Sequence, residues 1–247
     1  MIENYSNYKY TKKEWLAYFF QGALIGGMIG YLCYSGLLGT VLPMSYGLWY
    51  VHNQRKHLTE ERRWQLNLQF KDGLASVSAA LNAGYSVENA FAEAVKDLKL
   101  MYSPKAFIIC EFEGIVRQIN MNRTVEEVLK EFADRSGIDD IKNFAEVLIT
   151  AKRTGGDLIK IIRSTGNVIG DKIEVKREIL TLITAKKFEY RIMNVIPFCI
   201  IAYLRLFSPG FLNPLYGNPF GILFMSFILI MYCVVGRMAK NIISIEV

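Results

Sequence analysis

At residues 74–91 the chain reads Leu74-Ala-Ser-Val-Ser-Ala-Ala-Leu-Asn-Ala-Gly-Tyr-Ser-Val-Glu-Asn-Ala-Phe91, which predicts one helix, a turn and a second helix. Upstream of the turn, apolar side chains recur at steps of three or four residues and so share one helical face: Leu66, Phe70, Leu74, Val77 and Leu81. Gly84 stands where a left-handed residue ends a helix, because glycine takes that conformation without a Cβ clash. Ser86 is in position to cap the next helix. The stretch therefore predicts two amphipathic helices joined by a short turn.

Two further turns have the same pattern, a residue that tolerates left-handed backbone just ahead of a helix cap: Asn122 with Thr124, and Gly155 and Gly156 with Asp157. Thr124 also opens a capping box, since glutamate follows it three residues later. From Thr59 to about Tyr190 the pattern is helical throughout, without the alternation typical of strands. We predict an all-α bundle of six helices with short connections, the first beginning at Thr59 and the third at Pro104.

Charged and apolar residues are sharply segregated along the chain. Of its 247 residues, 52% are hydrophobic and 21% are charged. No Asp or Glu occurs between Glu14 and Glu60, or between Glu189 and Glu246. Two long apolar regions thus bracket a charged middle, a distribution that indicates a multi-pass membrane protein with one soluble insert.

The apolar regions predict four membrane spans. The uncharged run from Trp15 to Val51 is too long for one span of about 20 residues, so we predict a hairpin of two helices, Trp15–Cys33 and Leu37–Val51. The first of these lacks a small-residue cleavage site and is predicted to be an anchor rather than a cleavable signal. The predicted organisation is a cytoplasmic tail (1–14), the hairpin (15–51), a cytoplasmic helical domain (52–191), two membrane helices with a short outer loop (192–236) and a cytoplasmic tail (237–247).

Basic residues predict the orientation. With four spans, the Lys and Arg residues that flank them fall on one side of the membrane: Lys9, Lys12, Lys13, Arg55, Lys56, Lys186, Lys187, Arg191, Arg237 and Lys240. The opposite side has only Arg205, placed to reach the interface from the end of a span. Since cytoplasmic flanks carry the excess of Lys and Arg, we predict that both termini and the bundle are cytoplasmic. These flanks also account for the net charge of +6 without a nucleic acid partner.

Small residues in the first span predict close helix packing. Gly22, Gly26 and Gly30 follow one another at four-residue spacing, so they lie along one face of the helix. Such a face either forms a dimer seam or packs against other helices of the same chain. We favour packing within the chain.

The sequence offers no motif for catalysis, a cofactor or a metal ion. It lacks the GxxxxGK[ST] loop, HExxH, GxSxG and a GxGxxG after a strand. The four cysteines form no CxxC pair, and His52 and His57 have no third ligand nearby. A phosphate at the third turn would be repelled by Asp157, and other carboxylates at a helix N-terminus are predicted to be dipole partners rather than cation ligands: Asp134, Asp139 and Asp140. We predict a non-enzymatic protein without cofactor or metal.

Two stretches, Leu81-Asn-Ala-Gly-Tyr-Ser-Val-Glu-Asn-Ala90 and Ala151-Lys-Arg-Thr-Gly-Gly-Asp-Leu158, resemble the helix–glycine turn–helix signatures of the type II secretion F-type inner-membrane platform family. The resemblance extends over about residues 66–197. A single such domain behind an N-terminal membrane hairpin is most similar to the tight-adherence (Tad) pilus platform proteins. At the middle turn the family tends to have glycine, whereas this chain has Asn122, a residue that also tolerates left-handed backbone.

The resemblance implies a non-enzymatic platform in the cytoplasmic (inner) membrane. Its implied partners are a hexameric secretion ATPase, a paralogous platform subunit, prepilin subunits and membrane lipid, and it implies an oligomer. Two alternatives rest on the residues alone: a membrane-tethered scaffold or sensor that recruits a cytosolic partner, and a small transporter. The transporter is disfavoured because no ionisable residue lies in the middle of a predicted span.

Overall fold

The computed structural model describes residue 5 and residues 12–34, 46–208, 210–216 and 218–244. Within these residues every regular element is a helix, which confirms the predicted all-α class. The chain divides into two compact units. The bundle unit comprises Met1–Lys9 and Arg55–Glu174, and the apolar unit comprises Tyr10–Gln54 and Val175–Val247.

In chain order the helices are α1 (Lys12–Cys33), α2 (Tyr46–Asn82), α3 (Val87–Met101), α4 (Phe107–Asn120), α5 (Val125–Ser136), α6 (Asp139–Thr154), α7 (Leu158–Phe207), α8 (Asn213–Tyr216) and α9 (Pro219–Ser244). Both α2 and α7 have residues in each unit. The later part of α2, α3 to α6 and the first part of α7 make up the six helices of the bundle unit, as predicted.

Fully buried phenylalanines hold the bundle unit together. Phe70 of α2 packs against Phe132 of α5 and Phe144 of α6, with ring centroids 6.0 and 5.4 Å apart. Phe91 of α3 meets Phe112 of α4 edge to face at 5.2 Å. Each large ring removes about 150–250 Å² of surface from water, so these contacts dominate the core energetics. The face of α2 predicted to be buried is buried in full.

The start of α2 corrects one sequence prediction. The helix does not begin at Thr59 but at Tyr46, and it continues without a break through His52 and His57. Thr59 Oγ1 donates to the carbonyl of Arg55 at 2.9 Å. That bond to the residue four positions earlier is made by threonine inside a helix, whereas a cap would accept from a later N–H.

The start of α4 corrects another. The helix begins at Phe107 rather than at Pro104, because the preceding residues form a turn in which Ala106 N–H donates to the carbonyl of Ser103 at 2.9 Å. Ala106 has no side chain that could cap the helix. The side chain of Gln69 on α2 accepts instead from Ile108 N–H at 3.1 Å. A neighbouring helix thus satisfies a donor that local sequence leaves open.

Three described helices are long and apolar enough to cross a membrane: α1, α7 and the Pro219–Ala239 part of α9. The second predicted span, Leu37–Val51, lies outside the described residues as far as residue 45, and residues 46–51 belong to the start of α2. The boundaries between the compact units fall at 9/10, 54/55 and 174/175 in the chain, whereas the predicted domain boundaries at 14/15, 51/52 and 191/192 follow hydropathy. Those membrane boundaries stay predictions.

Candidate docking surface at the turn end of the bundle unit

Three turns lie at one end of the bundle unit, which we call the turn end: residues 83–86, 121–124 and 155–157. The ammonium of Lys152, just before the third turn, lies 3.1 Å from Glu126 Oε2, just after the second. It also lies 3.5 Å from Glu88 Oε1, just after the first. One side chain therefore brings together three turns that are far apart in the sequence.

Each turn contains one residue with left-handed backbone, and each is followed by a side-chain cap. The φ angles are +91° at Gly84, +64° at Asn122 and +72° at Gly155. Asn122 is the non-glycine residue with positive φ among the described residues, and asparagine is one of the few side chains that accept this conformation. Gly156 donates its N–H to the carbonyl of Ala151 at 2.8 Å, which closes the end of α6.

The caps are side-chain oxygens that accept from the third residue of the next helix. Ser86 Oγ accepts from Asn89 N–H at 3.3 Å, and Thr124 Oγ1 accepts from Glu127 N–H at 3.3 Å. Asp157 Oδ1 accepts from Lys160 N–H at 3.0 Å, so its carboxylate stabilises the start of α7. In the described structure the three predicted cap residues therefore bind helix starts.

The charges at the turn end are paired with one another. A hydrogen bond from its own backbone N–H, together with the ammonium of Lys152, holds the pKa of Glu88 below its usual range. Arg123 lies 2.7 Å from Glu131 Oε2 and 3.8 Å from Glu127 Oε2, and it also donates to Gln118. Exposed pairs of this kind contribute little to folding, and here they join two cations to four carboxylates.

Two large apolar side chains project from this surface. Tyr85, in the first turn, is 47% exposed, and Met121, at the start of the second, is 73% exposed. Aromatic and methionine side chains are enriched in protein interfaces, while charged residues are depleted from interface cores. Two exposed apolar residues within a rim of paired charges are typical of a docking surface.

Within the described residues no group of three His, Cys, Asp or Glu side chains is placed to hold a metal ion.

The opposite end of the bundle unit has a buried polar cluster that the sequence reasoning missed. The Tyr5 cluster consists of Tyr5, Arg63 of α2, Phe107 and Glu111 of α4, and Arg135 of α5. Glu111 is only 4% exposed, and the Arg135 guanidinium meets it with two nitrogens, Nη2 to Oε2 at 2.8 Å and Nη1 to Oε1 at 3.3 Å. A buried carboxylate of this kind requires a partner, and the forked guanidinium matches it.

Tyr5 completes this cluster from the N-terminal segment. Its hydroxyl donates to Glu111 Oε1 at 3.1 Å, and its ring meets Phe107 edge to face at 5.7 Å. Its N–H donates to the carbonyl of Arg135, and its carbonyl accepts from Arg63 Nε, each at 3.3 Å. The periodicity of α4 could have predicted the Glu111–Arg135 part of this site. Position 111 lies on the same helical face as Ile108, Phe112 and Ile115, so a charge there requires a buried partner.

In the apolar unit, the first of the three predicted packing glycines lies against the chain's own α2. A Cβ on Gly22 would come within 2.9 Å of both Gly47 Cα and Tyr50 Cβ. Gly26 and Gly30 are buried on the same helix. The close approach at Gly22 is within the chain, while the roles of Gly26 and Gly30 in helix packing stay predictions.

The basic residue near the end of the third predicted span has aromatic partners. Arg205 donates to the carbonyl of Tyr31, and its guanidinium lies 4.1 Å from the Tyr31 ring centroid and 5.8 Å from that of Tyr216. Tyr216 in turn donates its hydroxyl to the carbonyl of Leu32 at 2.7 Å. The cation thus contacts two aromatic rings and the Tyr31 carbonyl of the apolar unit.

The family model for Type II secretion system (T2SS), protein F, matches residues 74–204, which is more than half of the chain and includes all three turns. No curated protein and no solved structure gave a match.

Proposed function

The chain belongs to the type II secretion system protein F family, as the resemblance of its turns predicted, and from this premise we propose that it is the inner-membrane platform of a Tad-type pilus or a related secretion machine. The observation that carries the proposal is one family domain, matched at residues 74–204, on a chain with apolar helices before and after it. A single domain with an N-terminal membrane segment is the arrangement of Tad platform proteins, which work as a pair of paralogues. In this role the protein is a scaffold for assembly and has no catalytic site.

We further propose that the N-terminus, the bundle unit and the C-terminus are all cytoplasmic. Tyr5 supports a shared side, because its bonds to Arg63, Glu111 and Arg135 require residue 5 to be on the same side of the membrane as the bundle unit, and the excess of Lys and Arg in the flanks supports the cytoplasmic side. If α1 crosses the membrane once between them, the chain needs a second crossing before Arg55. That requirement supports the predicted hairpin, and α7 and α9 make the matching pair.

Cysteine labelling tests this topology. In a variant without the four native cysteines, Ser35→Cys should react with a membrane-impermeant maleimide added from outside the cell. Ser164→Cys, on the exposed face of α7, should react only after the membrane is permeabilised. Labelling of Ser164→Cys in intact cells would contradict the proposed orientation.

We propose the turn end as the docking surface for a hexameric secretion ATPase. Along both α2 and α7, the turn end is separated in sequence from the residues of the apolar unit by the rest of the bundle part of the helix. Its exposed Tyr85 and Met121 supply the apolar anchors that docking needs. α7 runs as one helix from Leu158 to Phe207, so a displacement at its capped start can pass along it towards the membrane. A helix break at Lys187→Pro should abolish pilus assembly without weakening ATPase binding.

A pull-down tests the function. The tagged full-length protein is purified from its own host in gentle detergent, and its partners are identified by mass spectrometry. We expect a secretion ATPase, a sister platform subunit and prepilins. Recovery of unrelated cytosolic regulators without an ATPase would favour the membrane-tethered scaffold. The chain would then share the fold of the family but not the platform function.

A pair of matched variants tests the docking surface. Tyr85→Ser with Met121→Ser should reduce ATPase recovery at least ten-fold, because interface anchors carry most of the binding energy. Leu100→Ser with Met101→Ser is the control, since these apolar side chains are 88% and 61% exposed at the far end of α3. Equal recovery with the two double variants would rule out the turn end as the docking surface while leaving the platform function intact.

A further inference from the structure

The Tyr5 cluster has the geometry of a filled peptide-binding site. All three polar groups of Tyr5 have partners on the bundle: its N–H on Arg135, its carbonyl on Arg63 and its hydroxyl on Glu111. The residue is only 5% exposed. Binding sites for peptides combine main-chain hydrogen bonds, which give affinity, with a pocket for one side chain, which gives specificity. Tyr5 is held in both ways.

The receiving side is built from helices that are far from Tyr5 in the sequence. Residue 5 and Arg63 are 58 positions apart, and residue 5 and Glu111 are 106 apart. The Glu111–Arg135 pair is formed between α4 and α5 themselves, and Phe107 supplies the apolar wall with the Arg62 guanidinium 5.9 Å from its ring centroid. Every group that receives Tyr5 thus belongs to the bundle helices α2, α4 and α5.

We propose that the Tyr5 cluster is a binding site for a tyrosine-bearing peptide, filled in cis by Tyr5 of the same chain, and that the site accepts another tyrosine once Tyr5 is removed. The ligand class follows from the pocket: an aromatic ring for Phe107, a hydroxyl donor for the Glu111 carboxylate, and peptide groups for Arg63 and the Arg135 carbonyl. Only the residues 6–11 separate Tyr5 from the start of α1 at Lys12, and a tether of this length in sequence gives Tyr5 an effective concentration of the order of millimolar at its site. A peptide in solution therefore binds only when the chain's own segment is removed. This inference does not depend on the proposed platform function.

The test uses the full-length protein in detergent and a fluorescein-labelled peptide of residues 1–9, with binding measured by fluorescence anisotropy. The Tyr5→Ala protein should bind the peptide, and the wild-type protein should bind it at least ten-fold more weakly, because its site is filled. A peptide with Tyr5→Phe should lose roughly ten-fold or more in affinity, because it cannot donate to a charged carboxylate. A peptide with Tyr8→Phe is the matched control and should bind like the native peptide.

A second receptor keeps the test valid if Tyr5→Ala disturbs folding. A protease site inserted between Lys9 and Lys12 leaves every residue of the cluster in place, and cleavage should let the segment exchange with labelled peptide. The proposal is overturned if neither receptor binds the peptide, if wild-type and Tyr5→Ala proteins bind it equally, or if a Tyr5→Ala peptide binds as well as the native one. A lower oligomeric mass of the Tyr5→Ala protein in native mass spectrometry would overturn the cis assignment, because it would show the segment bridging two copies.

Discussion

The two ends of the bundle unit use charged side chains in opposite ways. At the turn end, Lys152, Glu88 and Glu126 form ion pairs that remain at least 30% exposed. At the other end, Glu111 and Arg135 form a pair whose carboxylate is 4% exposed, closed over by Tyr5. Water screens the first set, whereas the second set depends on its partners alone.

Because of this difference, the buried pair contributes to folding stability, whereas the exposed pairs are available for recognition. The buried pair joins α4 to α5, so its loss should destabilise the folded bundle. The exposed pairs can be exchanged for contacts with another protein at small cost to folding, which suits a docking surface. Four substitutions measure the contrast, and each free energy of unfolding is obtained by denaturant titration of the full-length protein in detergent.

Arg135→Ala should have the largest effect. It leaves the Glu111 carboxylate buried without its cation, and breaking such a pair typically costs about 3–5 kcal/mol. Lys99→Ala is the matched control. Its partner Glu113 lies on α4, as Glu111 does, with 2.7 Å between Lys99 Nζ and Glu113 Oε1, but the Glu113 side chain is 36% exposed. The control should lose no more than about 1 kcal/mol. A similar loss from both variants would remove the contrast between buried and exposed pairs.

Asn122→Val should cost about 1–2 kcal/mol, because a β-branched side chain clashes in left-handed backbone. Here the turn end depends on backbone conformation rather than on charge. Asn122→Gly provides the comparison and should leave the free energy of unfolding unchanged or slightly raised, since glycine has no Cβ at φ +64°. If valine were tolerated as well as glycine, the turn would not require this conformation.

Tyr102→Phe tests an intermediate case, a partly buried bond at the end of α3 away from the turn end. The Tyr102 hydroxyl donates to Asp72 Oδ2 at 2.5 Å, and its loss should cost about 1 kcal/mol at pH 8. Burial, with Asp72 beside it, raises the pKa of Tyr102 to about 12. Because the pKa is raised in the folded protein, the neutral hydroxyl adds to the free energy of unfolding. This contribution is fully present below the unfolded pKa of about 10 and is lost as pH rises towards 12. The difference between the variant and the wild type should therefore shrink between pH 10 and 12.

Lys152→Ala should have the smallest effect, less than about 1 kcal/mol at neutral pH, because its pairs are exposed. The pKa of Glu88 is lowered in the folded protein, first by its own backbone N–H and then by Lys152. A lowered carboxyl pKa gives stability that is present above the unfolded pKa and is lost as pH falls through the folded value. The effect of the substitution should thus disappear in acid. An effect that grows below pH 4 would show that Lys152 acts through other groups.

The sequence predicted what local patterns determine. Steps of three and four residues identified the buried face of α2, and the glycine and asparagine turns marked where helices end. The helix start predicted at Thr59 was wrong, since a threonine before two glutamates resembles a helix cap. In the structure the Thr59 hydroxyl instead donates to the Arg55 carbonyl inside α2. Tyr5 lay beyond such reasoning, because a single tyrosine in a polar segment carries no period and its partner Glu111 is 106 residues away.

That separation has a kinetic consequence. Closing a loop of 106 residues costs chain entropy that only a largely formed bundle can offset, because the Glu111–Arg135 pair must exist before Tyr5 can bind to it. We therefore expect Tyr5 to dock after the main folding barrier, once α2, α4 and α5 have packed. Interactions absent from the transition state change the unfolding rate and leave the folding rate almost untouched. The N-terminal segment thus acts on the lifetime of the folded bundle rather than on how fast the bundle forms.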